Sequence, residues 1–127
     1  MRVHIVVQRQ PGHHRKTRSS FIVLASSLTK SSYQGSGLNI SDFKQVNVPV
    51  LWVHHKHDPC RWTSYADAKY FAQKTRAPLL TVTGSKNNRG DACKPFTEHG
   101  FVGMEEKTVK AILAWIRTGQ VPSDVSE

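Results

Sequence analysis

The sequence has 127 residues, of which 38% are hydrophobic and 21% charged, a composition typical of one folded domain rather than of a disordered chain. No apolar run approaches the roughly 20 residues that a membrane span requires, and the N-terminus lacks the apolar core of a signal peptide. We therefore expect no contact with a membrane. Two cysteines are too few for a disulfide framework, so they leave the cellular compartment open.

The formal net charge of +9 is concentrated near the N-terminus. Residues 1–41 contain no acidic side chain, and their basic ones are Arg2, Arg9, Arg15, Lys16, Arg18 and Lys30. We interpret residues 1–20 as a basic N-terminal segment that is solvated. Binding to nucleic acid or another polyanion is the disfavoured alternative, because the segment has neither interleaved aromatic residues nor a recognised nucleic-acid motif.

Two compact apolar runs predict the first strands of the folded part. Residues 21–25 have the composition of a fully buried parallel strand, and the weakly alternating residues 3–7 could add an N-terminal strand. The loop at residues 26–37 is rich in serine and glycine, and its serines are expected to be solvated rather than catalytic. Residues 48–55 form the second apolar run, which ends in polar residues just before the turn at Asp58.

Helices and strands alternate in the rest of the chain. We expect a helix at residues 64–75, a third strand at residues 79–83, and a last helix from about Met104 to Gly119. Its core-facing stripe is predicted to be the apolar set Val109, Ile112, Leu113 and Ile116. Residues 120–127 are expected to form a flexible tail.

This alternation predicts an α/β fold with a three-stranded parallel sheet flanked by helices, within residues 21–119. Asp58 and His99 each follow a buried strand, at the carboxyl edge where α/β proteins bind ligands. A carboxylate and a histidine at one edge are what an acid–base relay requires. The alternative is that Asp58 only caps the next turn and His99 is a surface histidine, and pattern alone leaves both open.

A family resemblance bears on this choice. The segments that carry it are, in chain order, residues 21–27, residues 48–55 with Asp58, residues 97–101 with His99, and residues 111–116. In this order they resemble the C-terminal half of an α/β-hydrolase: its sixth strand, its acid strand and loop, its histidine loop and its closing helix. The chain is most similar to bacterial hydrolases of unassigned substrate, in which a cysteine follows the acid and residues like those at 90–93 precede the histidine.

The resemblance implies the last three strands of the hydrolase sheet, with Asp58 as triad acid and His99 as triad histidine. It also implies esterase- or lipase-type ancestry, a small-molecule ester substrate and no cofactor. The family's nucleophile lies on a Gly-x-Ser-x-Gly elbow, and no such pentapeptide occurs in the sequence, since Ser36 and Ser85 lack the required glycines. We therefore expect a truncated hydrolase without its nucleophile.

Cys60 and Cys93 fall on neighbouring loops of this predicted edge, so a disulfide that ties the acid loop to the histidine loop is one hypothesis. Two ordinary thiols are the other, and the sequence does not decide between them. A zinc site could draw on His54, His55, His57, Asp58, Cys60 and Cys93. We disfavour it and expect no metal, because the spacing matches no standard zinc module.

A non-catalytic interaction module is the alternative to a hydrolase-derived enzyme. If the preceding strands of the hydrolase sheet are missing, the strand at residues 21–25 exposes an edge that can pair with another chain. Residues 3–7 could cover that edge, or a second copy could do so and form a homodimer.

Overall fold

The structure is a computed structural model that describes the backbone of residues 3–8 and the whole of residues 20–30, 36–122 and 124–127. Its strands and α-helices are β1 Val3–Gln8, β2 Ser20–Ala25, β3 Val50–His55, α1 Tyr65–Lys74, β4 Leu79–Val82, α2 Glu105–Thr118 and β5 Asp124–Val125. Two short 3-10 helices lie at Ile40–Phe43 and Glu98–Gly100.

The strands form one sheet in the order β1-β2-β3-β4-β5. Strands β2 to β5 are parallel, so the predicted α/β class is confirmed, but the predicted count of three parallel strands is wrong. The additional strand is β5, which pairs with Thr81 and Val82 of β4. Two residues are too few to show strand periodicity, and their conformation depends on the tail returning to β4.

Strand β1 pairs antiparallel with β2, with Val3 opposite Ala25 and Gln8 opposite Ser20. It therefore occupies the edge of β2 that could otherwise pair with another chain. The basic residues Arg2, Arg9, Arg15, Lys16 and Arg18 lie outside the described residues. Lys30 is described, and its ammonium group lies 3.8 Å from the Asp67 carboxylate.

Both faces of the parallel strands are covered, because successive side chains of a strand point to opposite faces. One face packs against α2, through a cluster made of Phe21, Val23, Leu51, Val53, Leu80, Val82, Met104, Ala111 and Trp115. The other face packs against α1, through Leu24, Trp52, Phe71 and Ala72. Strand β3 therefore lies buried between the two layers.

The core-facing stripe predicted for α2 is wrong at two of its four residues, whereas Ile112 and Ile116 do pack against the core. Val109 and Leu113 are 53% and 45% exposed, whereas the buried residues of the helix are Thr108, Ala111 and Trp115. The period of the apolar pattern is helical, but the rotation of the helix is set by the large Trp115, which packs on Phe21. Neither helix of the described part is long and apolar enough to cross a membrane.

Candidate functional site

The loop after β3 buries the carboxylate of Asp58. The side chain is 0% exposed. Its Oδ1 accepts the backbone N–H of Cys60 at 2.9 Å, and its Oδ2 accepts the hydroxyl of Thr63 at 2.9 Å. The turn at residues 58–63 therefore folds around the carboxylate and fixes its orientation.

The 3-10 helix at Glu98–Gly100 places His99, which is fully buried. Thr97 holds the segment that leads to His99. Its Oγ1 accepts the N–H of His99 at 3.2 Å and donates to the carbonyls of Ala92 and Lys94. A Cβ at position 100 would collide with the backbone of Pro95, so the loop can pack this closely only with glycine there.

These two loops bring Asp58 and His99 into contact. Nδ1 of His99 lies 3.2 Å from Oδ1 and 3.1 Å from Oδ2 of Asp58, and 3.0 Å from Oγ1 of Thr63. An ionised carboxylate only accepts hydrogen bonds, so in the neutral ring Nδ1 carries the proton and the basic lone pair is on Nε2. The arrangement has the chemistry of a general base held in one tautomer by an acid.

Asp58 also contacts a second histidine. Nε2 of His54 lies 2.9 Å from Oδ2 of Asp58 and also bonds to the carbonyl of Thr63. Burial opposes ionisation of Asp58, but the hydrogen bonds from His54 and His99, together with the Cys60 N–H, lower the pKa of this carboxyl group well below its usual range. Asp58 is therefore ionised wherever the protein is folded near neutral pH.

The other two histidines of this segment do not touch the carboxylate. Nε2 of His55 bonds to the carbonyl of Gly84 at 2.8 Å, and its Nδ1 accepts the N–H of His57 at 3.0 Å. Burial lowers the pKa of His55, which keeps the ring neutral. Within the described residues, no group of three or more His, Cys, Asp or Glu is arranged to hold a metal ion.

Cys60 and Cys93 form a disulfide bond in the structure, with their Cα atoms 4.7 Å apart. Cys60 belongs to the turn around Asp58, and Cys93 lies between the two residues whose carbonyls accept the Thr97 hydroxyl. The disulfide thus joins the loop that orients Asp58 to the loop that delivers His99.

A cavity of about 270 Å³ adjoins His99 on the side of β2 and α2. Its lining includes Ala25, Ser26, Val53, Phe101, Val109 and Ile112. Ser26 has a left-handed backbone with φ of 50°, and its hydroxyl donates to the carbonyl of His99 at 2.6 Å. The hydroxyls of Ser27 and Thr108 are buried without a hydrogen-bond partner in the described part of the chain.

Three further residues build the site. From the sequence, His54 is a possible zinc ligand or local support for Asp58, and Thr63 is not a candidate. The expectation that Ser26 is solvated is wrong, because Ser26 is buried. Thr63 contacts both Asp58 and His99, His54 contacts the carboxylate, and Ser26 holds the backbone of His99. The spacing of His54 and Asp58, four residues apart across a strand end, was available in the sequence. The roles of Thr63 and Ser26 depend on loop conformations that carry no sequence motif.

Comparison of the chain with protein-family profiles, with curated proteins and with solved structures gives no match.

Proposed function

We propose that this chain carries the acid and histidine of an α/β-hydrolase-type acyl hydrolase site that acts on a small-molecule ester. The observation that carries the proposal is the buried contact between the Asp58 carboxylate and Nδ1 of His99 at the carboxyl edge of a parallel sheet. The side-by-side order of β2, β3 and β4 supports it, since the acid follows β3 and the histidine follows β4, as the family resemblance requires.

In this reaction His99 acts as general base and then as general acid. Its Nε2 takes the proton of an attacking hydroxyl, the Asp58 carboxylate stabilises the imidazolium, and the proton passes to the leaving alcohol. The sequence has no Gly-x-Ser-x-Gly pentapeptide, so we propose that the nucleophile is supplied from outside this chain. Two nearby hydroxyls already have other partners: that of Ser26 bonds to the His99 carbonyl, and that of Thr63 to Asp58.

Hydrolysis of p-nitrophenyl acetate by the whole chain tests the proposal. An activated ester can be hydrolysed slowly with His99 alone as base, so we expect a rate above the buffer background that disappears in His99→Ala and falls sharply in Asp58→Asn. Loss of the triad acid costs about 10⁴-fold in a complete triad, because the histidine takes the wrong tautomer. His57→Ala is the matched control, since this exposed histidine does not contact Asp58.

Two results would count against the proposal. One is a rate above background that survives His99→Ala, and the other is no rate above background at all. Reaction with a fluorophosphonate ester probe separates the sources of the nucleophile: covalent labelling that is lost in Ser26→Ala would identify Ser26 and contradict an external nucleophile.

A non-catalytic module that dimerises through the edge of β2 has less support. In the structure β1 pairs with that edge along its length, from Val3 opposite Ala25 to Gln8 opposite Ser20. The edge is therefore already occupied by the same chain.

A further inference from the structure

The Asp58 carboxylate lies between two imidazole rings. Its Oδ2 is 3.1 Å from Nδ1 of His99 and 2.9 Å from Nε2 of His54, and all three side chains are 0% exposed. The proposed reaction uses Asp58 and His99 and gives His54 no role. A buried histidine in direct contact with the acid of the pair needs a physical account.

The contacts of His54 define its tautomer. Its Nε2 meets two acceptors, Oδ2 of Asp58 and the carbonyl of Thr63, so Nε2 must carry a proton. Its Nδ1 is buried and has no hydrogen-bond partner among the residues that the structure describes. A proton on Nδ1 would leave a charged ring with a buried, unpaired N–H, which is costly, so the ring is neutral with its lone pair on Nδ1.

We propose that His54 is a positioning residue that holds the Asp58 carboxylate in place for His99 through its Nε2–H. Asp58 is part of a loop, whereas His54 belongs to the central strand β3 and its ring packs near that of Tyr65, with ring centroids 6.4 Å apart. The bond therefore ties a loop carboxylate to the buried central strand of the sheet. Because Nε2 also bonds to the Thr63 carbonyl, the same ring secures both ends of the turn at residues 58–63.

The catalytic consequence of this role depends on the proposed function, but the role itself does not. Without the His54 donor the carboxylate keeps the Cys60 N–H, the Thr63 hydroxyl and His99, none of which lies on a strand of the sheet. Oδ2 then loses its anchor on the sheet, and the carboxylate can turn away from Nδ1 of His99. Removal of a comparable outer partner costs about 10- to 100-fold in metal sites. We expect a loss at the lower end of that range for His54.

The first test uses the unmodified chain. Long-range ¹H–¹⁵N correlation spectra distinguish the two neutral tautomers of each histidine. We expect His54 to carry its proton on Nε2 and to have an unprotonated Nδ1. The opposite tautomer would remove the donor from Asp58 and overturn the proposal, whatever the activity of the chain and whatever the stability of any variant.

The second test compares His54→Gln, whose side-chain amide can donate from nearly the position of Nε2, with His54→Leu, which cannot. We expect His54→Gln to keep the downfield Nδ1–H proton signal of His99 and to stay within about twofold of the wild-type kcat/KM. His54→Leu should shift or broaden that signal and lower kcat about 10-fold with little change in KM.

His55→Gln is the matched control, because His55 is the next buried histidine of β3 and bonds to Gly84 rather than to Asp58. It should leave the His99 signal in place. A folded His54→Leu variant with the wild-type His99 signal would overturn the proposal. The two proposals can fail separately. If neither the wild type nor any variant hydrolyses the ester, the proposed function fails. The role of His54 still stands if the His99 signal changes as expected.

Discussion

The two flanks of the carboxyl edge differ in how completely their groups are paired. On the acid–histidine flank, formed by His54, Asp58, Thr63 and His99, nearly every buried polar atom of the described residues has a partner, with Nδ1 of His54 the exception. The cavity flank lies between the end of β2 and helix α2. There the hydroxyls of Ser27 and Thr108 have no partner among the described residues, and Val109 and Leu113 are about half exposed.

The acid–histidine pair is oriented mainly by residues outside the cavity flank. Asp58 is oriented by its own turn and by β3, and His99 by Thr97 and the disulfide-linked loop. The main link from the cavity flank is the Ser26 hydroxyl bonded to the His99 carbonyl. Substitutions on the acid–histidine flank should therefore have large effects on the pair, and those on the cavity flank small ones.

Among the changes at the carboxyl edge of the sheet, loss of the disulfide should have the largest effect on stability. Cys60 and Cys93 are 33 residues apart, and opening a loop of this length lowers the free energy of unfolding by about 3–4 kcal/mol, because the unfolded chain gains conformational freedom. Urea denaturation of Cys60→Ser/Cys93→Ser should show this loss. Reductant should destabilise the wild type similarly and leave the double variant unchanged. A wild-type midpoint that does not respond to a reductant that opens the bond would contradict the expectation.

Two buried threonines provide a matched comparison of the flanks. Thr63→Val removes a hydroxyl that bonds to a buried carboxylate and should cost about 1.5–3 kcal/mol. Thr108→Val removes a hydroxyl without a partner in the described residues and should be neutral or slightly stabilising, within about 0.5 kcal/mol. Both values come from urea denaturation. Equal costs at the two positions would show that the flanks do not differ in this way.

The pH dependence of stability should report Asp58. Its pKa is lowered in the folded protein, since the hydrogen bonds from His54 and His99 outweigh the effect of burial. Its stabilising contribution is therefore complete above the unfolded-state pKa of about 3.9 and is lost as the pH falls toward the lower folded-state pKa. Between pH 5 and pH 3 the loss should be about 1 kcal/mol greater in the wild type than in Asp58→Asn. An equal loss of stability in the wild type and in Asp58→Asn over this pH range would contradict the prediction.

Polar substitutions on the exposed side of α2 should have the smallest effect. Leu113→Gln keeps a good helix former at a position that is 45% exposed and should change the free energy of unfolding by no more than about 0.5 kcal/mol. Trp115→Ala, on the buried side of the same helix, should cost about 3–5 kcal/mol. Thermal denaturation of both variants checks the rotation of α2. A large loss of stability in Leu113→Gln would contradict this rotation and would indicate that Leu113 faces the core, as the sequence predicts.

The sequence predicts where the strands and helices lie better than it predicts which residues they pack against. The apolar run ending at His55 has a local cause, and so does the start of α1, where the Ser64 hydroxyl accepts the N–H of Asp67 as an N-terminal cap. The central strand and α1 therefore follow from the sequence pattern. The rotation of α2 depends on where Trp115 meets Phe21, and β5 exists only because the tail pairs with β4. Neither of these contacts is local, so periodicity cannot reveal them.

The candidate site, too, is predicted only in part by the sequence. That Asp58 and His99 share one edge follows from the strand order, because the carboxyl ends of parallel strands lie together. Their contact, and the parts of Thr63 and His54 in it, depend on turns of a few residues that no motif encodes. The sequence leaves a disulfide and two free thiols equally open, since proximity of two loops does not specify whether two thiols meet.

The most direct test of the central claim, that Asp58 holds His99 as a base, is the tautomer of His99. Long-range ¹H–¹⁵N spectra of the wild type and of Asp58→Asn should be compared at a pH where the ring is neutral. We expect a proton on Nδ1 and an unprotonated Nε2 in the wild type, with loss or reversal of this preference in Asp58→Asn. A proton on Nε2 in the wild type, or identical spectra for the two proteins, would contradict it.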